Sequence, residues 1–168
     1  MAAQFLHGAS VAWASVVVPL SLAEMTEAAA IVVDGTVAEV RTTQGPDGVE
    51  RQVLVRVESA WKGQPEASVY VRLAGGQLGR LETRVPGVPI VAAGDRVVWF
   101  LTPHPHGGYV VIGLHQGALR MLAAPDGEPR VLAPSRTVAG RGDVRRVPRR
   151  VSDLASDVRA LVAARRAR

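Results

Sequence analysis

Residues Gln52–Gly63, QVLVRVESAWKG, constrain the chain most. Val53, Val55 and Val57 alternate with Gln52, Arg56 and Glu58, and only Leu54 breaks the pattern. A period of two places the valines on one face of an extended strand and the polar side chains on the other. Such a strand must be paired along its edges or covered, so it needs partners. The preceding segment supplies one. In Ile31–Val40, IVVDGTVAEV, residues Ile31, Val33 and Val37 share a face, with Gly35 between them. Glycine inside a strand marks a bulge or a close backbone approach. Gln44–Gly48, QGPDG, is a turn by mechanism: Pro46 presets its φ, Asp47 bonds locally and Gly48 tolerates positive φ. Ile31–Thr43 and Val49–Ala60 are therefore expected to form a long antiparallel hairpin, ended by Gly63 and Pro65.

The pattern repeats downstream. Val69, Val71 and Leu73 alternate with Ser68, Tyr70 and Arg72. A Gly- and Pro-rich stretch, Gly75–Gly94, carries one short strand at Leu81–Val85. Val97–Leu101, VVWFL, is apolar throughout, as expected of a strand covered on both faces, and places Trp99 in a core. A turn at His104–Gly108 precedes strands at Tyr109–Leu114 and Ala118–Leu122. A second Pro-Asp-Gly turn at Pro125 leads into Arg130–Ala133. Short strands at this spacing, without a parallel β-α-β rhythm, predict a mainly β domain that is closed or nearly closed.

A helix is expected at each end. Ser21 and Glu24 form a capping box, and Leu20 and Met25 occupy the positions of a hydrophobic staple, for a short helix over Leu22–Ala29. Near the C-terminus, Ser152 is placed to cap a helix whose Leu154, Val158, Leu161 and Val162 lie on one face. Arginines gather in its last turn, where the helix dipole favours them. The organisation read from these signals is an apolar arm over residues 1–19, a β-barrel domain over 20–133, an exposed basic linker over 134–150 and a C-terminal amphipathic helix over 151–168.

Charge separates these parts. Residues 136–168 hold ten arginines and three acids, a charge of +7, which leaves −2 for residues 1–135. Lys62 is the single lysine, and cysteine is absent, which excludes disulfides, thiolate metal sites and cysteine nucleophiles. The arm carries no charge before Glu24. Its Ala12-Trp13-Ala14 has the small-x-small form of a signal-peptidase site, although the basic n-region is missing. Export with periplasmic or secreted localisation is one reading. An apolar arm packed on a cytoplasmic body is the other. Gln4, His7, Ser10, Ser15 and Pro19 interrupt a run barely of the ~20 residues a membrane span needs, so the chain is not expected to span a membrane.

The order AAAIVVDGTVAEV, VLVRVESAWKG, VYVRLAGG and GDRVVWFL resembles a group of uncharacterised exported bacterial proteins with an OB-like barrel. These are similar in pattern to netrin-type and metalloproteinase-inhibitor-like domains. The likeness covers Leu20–Leu122, and its most distinctive pieces are Trp61-Lys62-Gly63 and Gly94-Asp95. It implies a single OB-like antiparallel β-barrel and an exported compartment. The animal inhibitors chelate zinc through an N-terminal cysteine, which this chain lacks, so the likeness brings no activity with it.

Residues that can carry chemistry are few. His104 and His106 form His-x-His, which binds one metal when the segment is extended, with His115 as a third ligand across the hairpin. Two prolines and two glycines around them favour a solvated turn instead. No serine has a nucleophile-elbow context, and no P-loop, zinc-protease helix or dinucleotide fingerprint is present, so no cofactor and no catalytic residue are expected. Trp61 marks either a ligand surface or a lid over the barrel end. With Lys62 and the basic residues Arg145, Arg146, Arg149 and Arg150 it makes up the expected partner surface. Three functions follow: a non-enzymatic exported interaction module for a protein or envelope component, an OB-type binder of single-stranded nucleic acid using the arginine-rich tail, and a metal-dependent enzyme at the histidine turn. The first is the preferred expectation, since the body is slightly acidic and poor in stacking aromatics.

Overall fold

The computed structural model describes residues 18–134 and 146–167. Its organising element is the expected hairpin. Strands β1 (Ile31–Gly45) and β2 (Gly48–Lys62) are fifteen residues each and pair from Gly45 with Gly48 back to Val32 with Lys62. The register shifts at Val32/Val33, Asp34/Gly35 and Val37/Glu39. Bulges of this kind bend a strand and increase its twist. At Gly35 a Cβ would stand 2.5 Å from Val55 Cγ1 and 2.8 Å from the Arg56 carbonyl oxygen, so the glycine marks both a bulge and a close approach.

β1 pairs on both edges, and its bend helps the sheet curl toward closure. Strand β3 (Ser68–Ala74) lies antiparallel to β2, from Arg56 with Ser68 to Glu50 with Ala74. The small hairpin of β4 (Gly76–Leu78) and β5 (Leu81–Thr83) forms a separate two-stranded sheet. Strand β6 (Arg96–Pro103) returns to β1, from Ile31 with Leu101 to Thr36 with Arg96. Strand β7 (Tyr109–Val111) pairs with β6 and also with β3. Five strands thus close a ring in the order β1-β2-β3-β7-β6. The β3–β7 pairing is parallel, which departs from the wholly antiparallel barrel expected. The reason is topological: β7 is the return arm of a hairpin with β6, and that direction matches β3.

From β6 the sheet continues outward through β8 (Ala118–Leu122), β9 (Arg130–Pro134) and β10 (Arg146–Arg150). The segment expected as an exposed basic linker therefore contains a strand at its C-terminal end, while 135–145 lies outside the described residues. Arginine content did not prevent a strand because Arg149, the one arginine of β10 that turns inward, finds an acid. Arg149, paired across the sheet with Val131, forms an ion pair with Asp157 of the C-terminal helix. Pro148 sits in this edge strand, where a missing N–H is tolerated.

Two cores result, and VVWFL is shared between them. Val97, Trp99 and Leu101 enter the ring with Val33, Val37, Val53, Val55, Val69 and Val71. Val98 and Phe100 face the other way and pack, with Val32, Leu119 and Val131, under helices α1 (Leu22–Ala28) and α2 (Val151–Arg166). Leu22 and Met25 of α1 and Leu154 and Val158 of α2 complete this second core. Val53 and Val55 are fully buried and Val57 is half-buried against the ring interior, as the alternation requires.

The α1 capping box is present: Glu24 N–H donates to Ser21 Oγ at 3.2 Å, and Ser21 N–H donates to Glu24 Oε2 at 2.8 Å. The expected Ser152 cap is not. Helix α2 starts at Val151, directly after β10, with no loop in which a side chain can turn back. The Val151 N–H donates instead to the Pro129 carbonyl at 3.1 Å, and the Ser152 hydroxyl bonds to Glu128. Among the described residues no helix is long and apolar enough to cross a membrane.

Candidate functional site: the groove between the two helices

The distinctive Trp61-Lys62-Gly63 closes β2 beneath α1, and each residue has a separate task. Trp61 is 5% exposed and packs in the core under the helices. It is neither a ligand surface nor a lid on the ring interior, because β2 carries it past the ring and under α1 and α2. Lys62 reaches the C-terminal end of α1. Its Nζ donates to the carbonyl oxygens of Thr26 at 2.6 Å and Glu27 at 3.2 Å, and to that of Ala29. The last carbonyls of a helix lack intrahelical donors, and a cation there is favoured by the dipole. Gly63 has φ +78°, and a Cβ on it would stand 2.7 Å from Ile31 Cγ2 and 2.9 Å from the Ala30 carbonyl oxygen.

Beside this corner lies a groove of about 840 Å³ between α1 and the end of α2. Ala23, Ala30, Leu161, Val162 and Ala164 give it apolar walls, while Lys62, Arg165 and Arg166 bring positive charge. Glu27 is the acid on its lining, 3.3 Å from Arg165 across an exposed ion pair. Burial and then the nearby Arg165 charge push Lys62 below the usual lysine range, partly offset by Glu27. Thr26 also lines the groove; it is 3% exposed and its Oγ1 makes no hydrogen bond.

The other expected partner residues do not join this groove. Arg145 lies outside the described residues. Arg146 donates to the carbonyls of Leu132 at 3.4 Å and Gln116 at 3.3 Å. Arg149 is held by Asp157, and Arg150 stands 3.5 Å from Glu128. Arg146, Arg149 and Arg150 are thus engaged in the fold. Exposed aromatic surface is also sparse: among the described aromatics Trp61, Trp99 and Phe100 are buried, and Tyr70 is the exposed one.

His104 and His106 do share a turn, with ring centroids 5.5 Å apart. The His106 N–H donates to His104 Nδ1 at 3.2 Å, which occupies one of the nitrogens a metal would need. His115 sits in a separate 3₁₀ turn, its N–H donating to the Gly87 carbonyl at 2.8 Å. Among the described residues no three His, Asp or Glu side chains gather as a metal site.

The histidine turn is instead fixed from below by an ion pair. Arg72 donates to both carboxylate oxygens of Glu50, at 2.7 and 3.0 Å, and to the His106 and Gly107 carbonyls at 2.9 and 3.3 Å. Burial disfavours the Glu50 charge, but the bonds from Arg72 and Gln52 outweigh it and hold its carboxyl below the usual range. Asp34 behaves oppositely. Burial raises its carboxyl despite Arg96 at 2.7 Å, and its Oδ1 has no partner.

Sequence reading found Lys62 but missed Thr26, Leu161, Val162, Arg165 and Arg166 as its neighbours. The available signal was the arginine pair at the end of an amphipathic helix. Fold and site together define a mainly β protein with a ring-closed sheet and a helical cap that holds a cationic, apolar-walled groove. The sequence matches no protein-family model and no curated relative.

Proposed function

We propose that this chain is a non-enzymatic, exported interaction module: an OB-like barrel that offers its helical cap to an envelope component or protein. The groove between α1 and α2 carries this reading, because it combines apolar walls with Lys62, Arg165 and Arg166 in one concavity. Binding sites are mostly apolar hollows with a few convergent polar groups. The apolar, uncharged arm ahead of α1 supports export.

A photocrosslinking residue at Ala164, introduced in the native cell, tests the interaction. The expected result is one identified adduct that disappears when Arg165 and Arg166 are both changed to Glu and is absent when the crosslinker stands at Leu81 on the β4–β5 hairpin. An adduct indifferent to the arginines, or none, overturns the reading. Periplasmic recovery with trimming near Ala14 is expected for export; cytosolic recovery of the intact chain overturns it.

A further inference from the structure

We infer that the groove between α1 and α2 binds a single-chain anionic amphiphile, a fatty-acid-type carboxylate, with its tail along the helices and its headgroup at Arg165 and Arg166. This rests on the reading of the helical cap as the interaction surface and names the class of its client.

Four observations converge. The volume, about 840 Å³, falls in the roughly 300–1,000 Å³ range of small-molecule sites. The walls that a methylene chain would touch are Ala23, Leu161, Val162 and Ala164. Positive charge exceeds negative on the lining, with Lys62, Arg165 and Arg166 against Glu27. Lys62 has its three N–H donors committed to α1 carbonyls, so it contributes field and leaves direct contact to the arginines. Arg165 is held at Glu27 by an exposed ion pair at 3.3 Å and a long bond to the Glu27 carbonyl at 3.4 Å, both open to solvent competition. Such exposed pairs contribute little, about 0–1 kcal/mol, and a carboxylate headgroup can take Glu27's place. Finally, Thr26 lines the groove, buried, with Oγ1 unbonded. A buried hydroxyl without a partner is costly, so this wall of the groove is under-satisfied.

Charge complementarity selects an anion, and the apolar walls select a tail. An acidic helical peptide would need a longer interface than this groove gives, since specific protein contacts bury on the order of 800 Å² per partner.

The test uses the full chain and decanoate below its micellar concentration, with decanol and decyltrimethylammonium as neutral and cationic controls. Calorimetry is expected to show saturable decanoate binding, weakened at least tenfold by R165E/R166E and by high salt, with decanol weaker and the cation silent. Backbone amide shifts on decanoate addition are expected at Thr26, Leu161 and Val162. Ala164→Trp, which fills the groove, is expected to abolish binding. Should that variant fail to fold, R165E/R166E decides, because those side chains are exposed. R80E/R84E, on the β5 side of the molecule, is expected to leave binding unchanged. Absent decanoate binding, equal binding of decanol, shifts confined to other surfaces, or indifference to R165E/R166E overturns the inference. An acidic peptide that binds the groove where decanoate does not also overturns it. A protein adduct at Ala164 without decanoate binding removes the ligand class alone; loss of both removes the surface itself.

Discussion

The Lys62 ammonium lies 2.6 Å from the carbonyl oxygen of Thr26, tying the end of β2 to the last turn of α1. Together with the bonds to Glu27 and Ala29, this makes the chain's single lysine the C-terminal cap of a seven-residue helix. Short helices are marginal alone and depend on such contacts. Lys62→Met is expected to cost about 1.5–3 kcal/mol, the range for hydrogen bonds to a charged group. Lys62→Arg is expected to recover only part, because a planar fork cannot direct three donors from one point. Thermal denaturation followed by circular dichroism checks both; a Lys62→Met variant as stable as the parent would refute the capping role.

Three glycines separate backbone strain from crowding. Gly94 has φ +90° with nothing near its missing Cβ, so Gly94→Ala should cost about 1–2 kcal/mol, the left-handed penalty alone. Gly63 adds contacts at 2.7 and 2.9 Å to φ +78°, so Gly63→Ala should cost more. Gly35 lacks positive φ but meets Val55 and Arg56, and overpacking there should cost about 1–3 kcal/mol. Urea titration of the three variants gives the order, and Gly94→Ala as the most damaging change would contradict the geometry.

Glu50 and Arg72 are each about an eighth exposed at the side chain, and the pair holds the histidine turn. Arg72→Met is expected to destabilise toward the lower end of the roughly 3–5 kcal/mol seen when one partner of a buried pair is removed. The pH dependence has a defined sign. The Glu50 carboxyl is lowered in the folded state, so its contribution is complete above the unfolded value near 4.3 and is lost as pH falls through the folded value. Glu50→Gln should flatten that acid limb, which chemical denaturation between pH 2 and 6 will show.

Asp34 has the reverse sign. Its carboxyl is raised, first by burial, so its contribution is complete below the unfolded value near 3.9 and is lost as pH rises through the folded value. The stability of Asp34→Asn relative to the parent should therefore improve between pH 3 and pH 7. A difference that moves the other way would show that Arg96 outweighs the burial.

What could be read from sequence was local. The QGPDG turn set the β1–β2 register, the Ser21–Glu24 box set the start of α1, and VVWFL announced burial on both faces. What escaped depended on partners distant in sequence. Arg149 reads as linker until Asp157 stands opposite it. Lys62 reads as a surface charge until α1 ends above it. The parallel β3–β7 contact spans only Val71 with Tyr109 and Arg72 with Val110, too short to leave a pattern. The helix groove needed the relative placement of α1 and α2, which no periodicity encodes.

Strand β6 serves two interiors at once, and this limits how the molecule can be trimmed. Excising α2 would strip cover from Val98 and Phe100 without loosening Trp99, leaving an intact ring with an oily outer wall. Such a fragment should self-associate instead of unfolding. The ring-closed sheet can thus stand without its helical roof, but only the roof keeps its outer wall from sticking to a second copy.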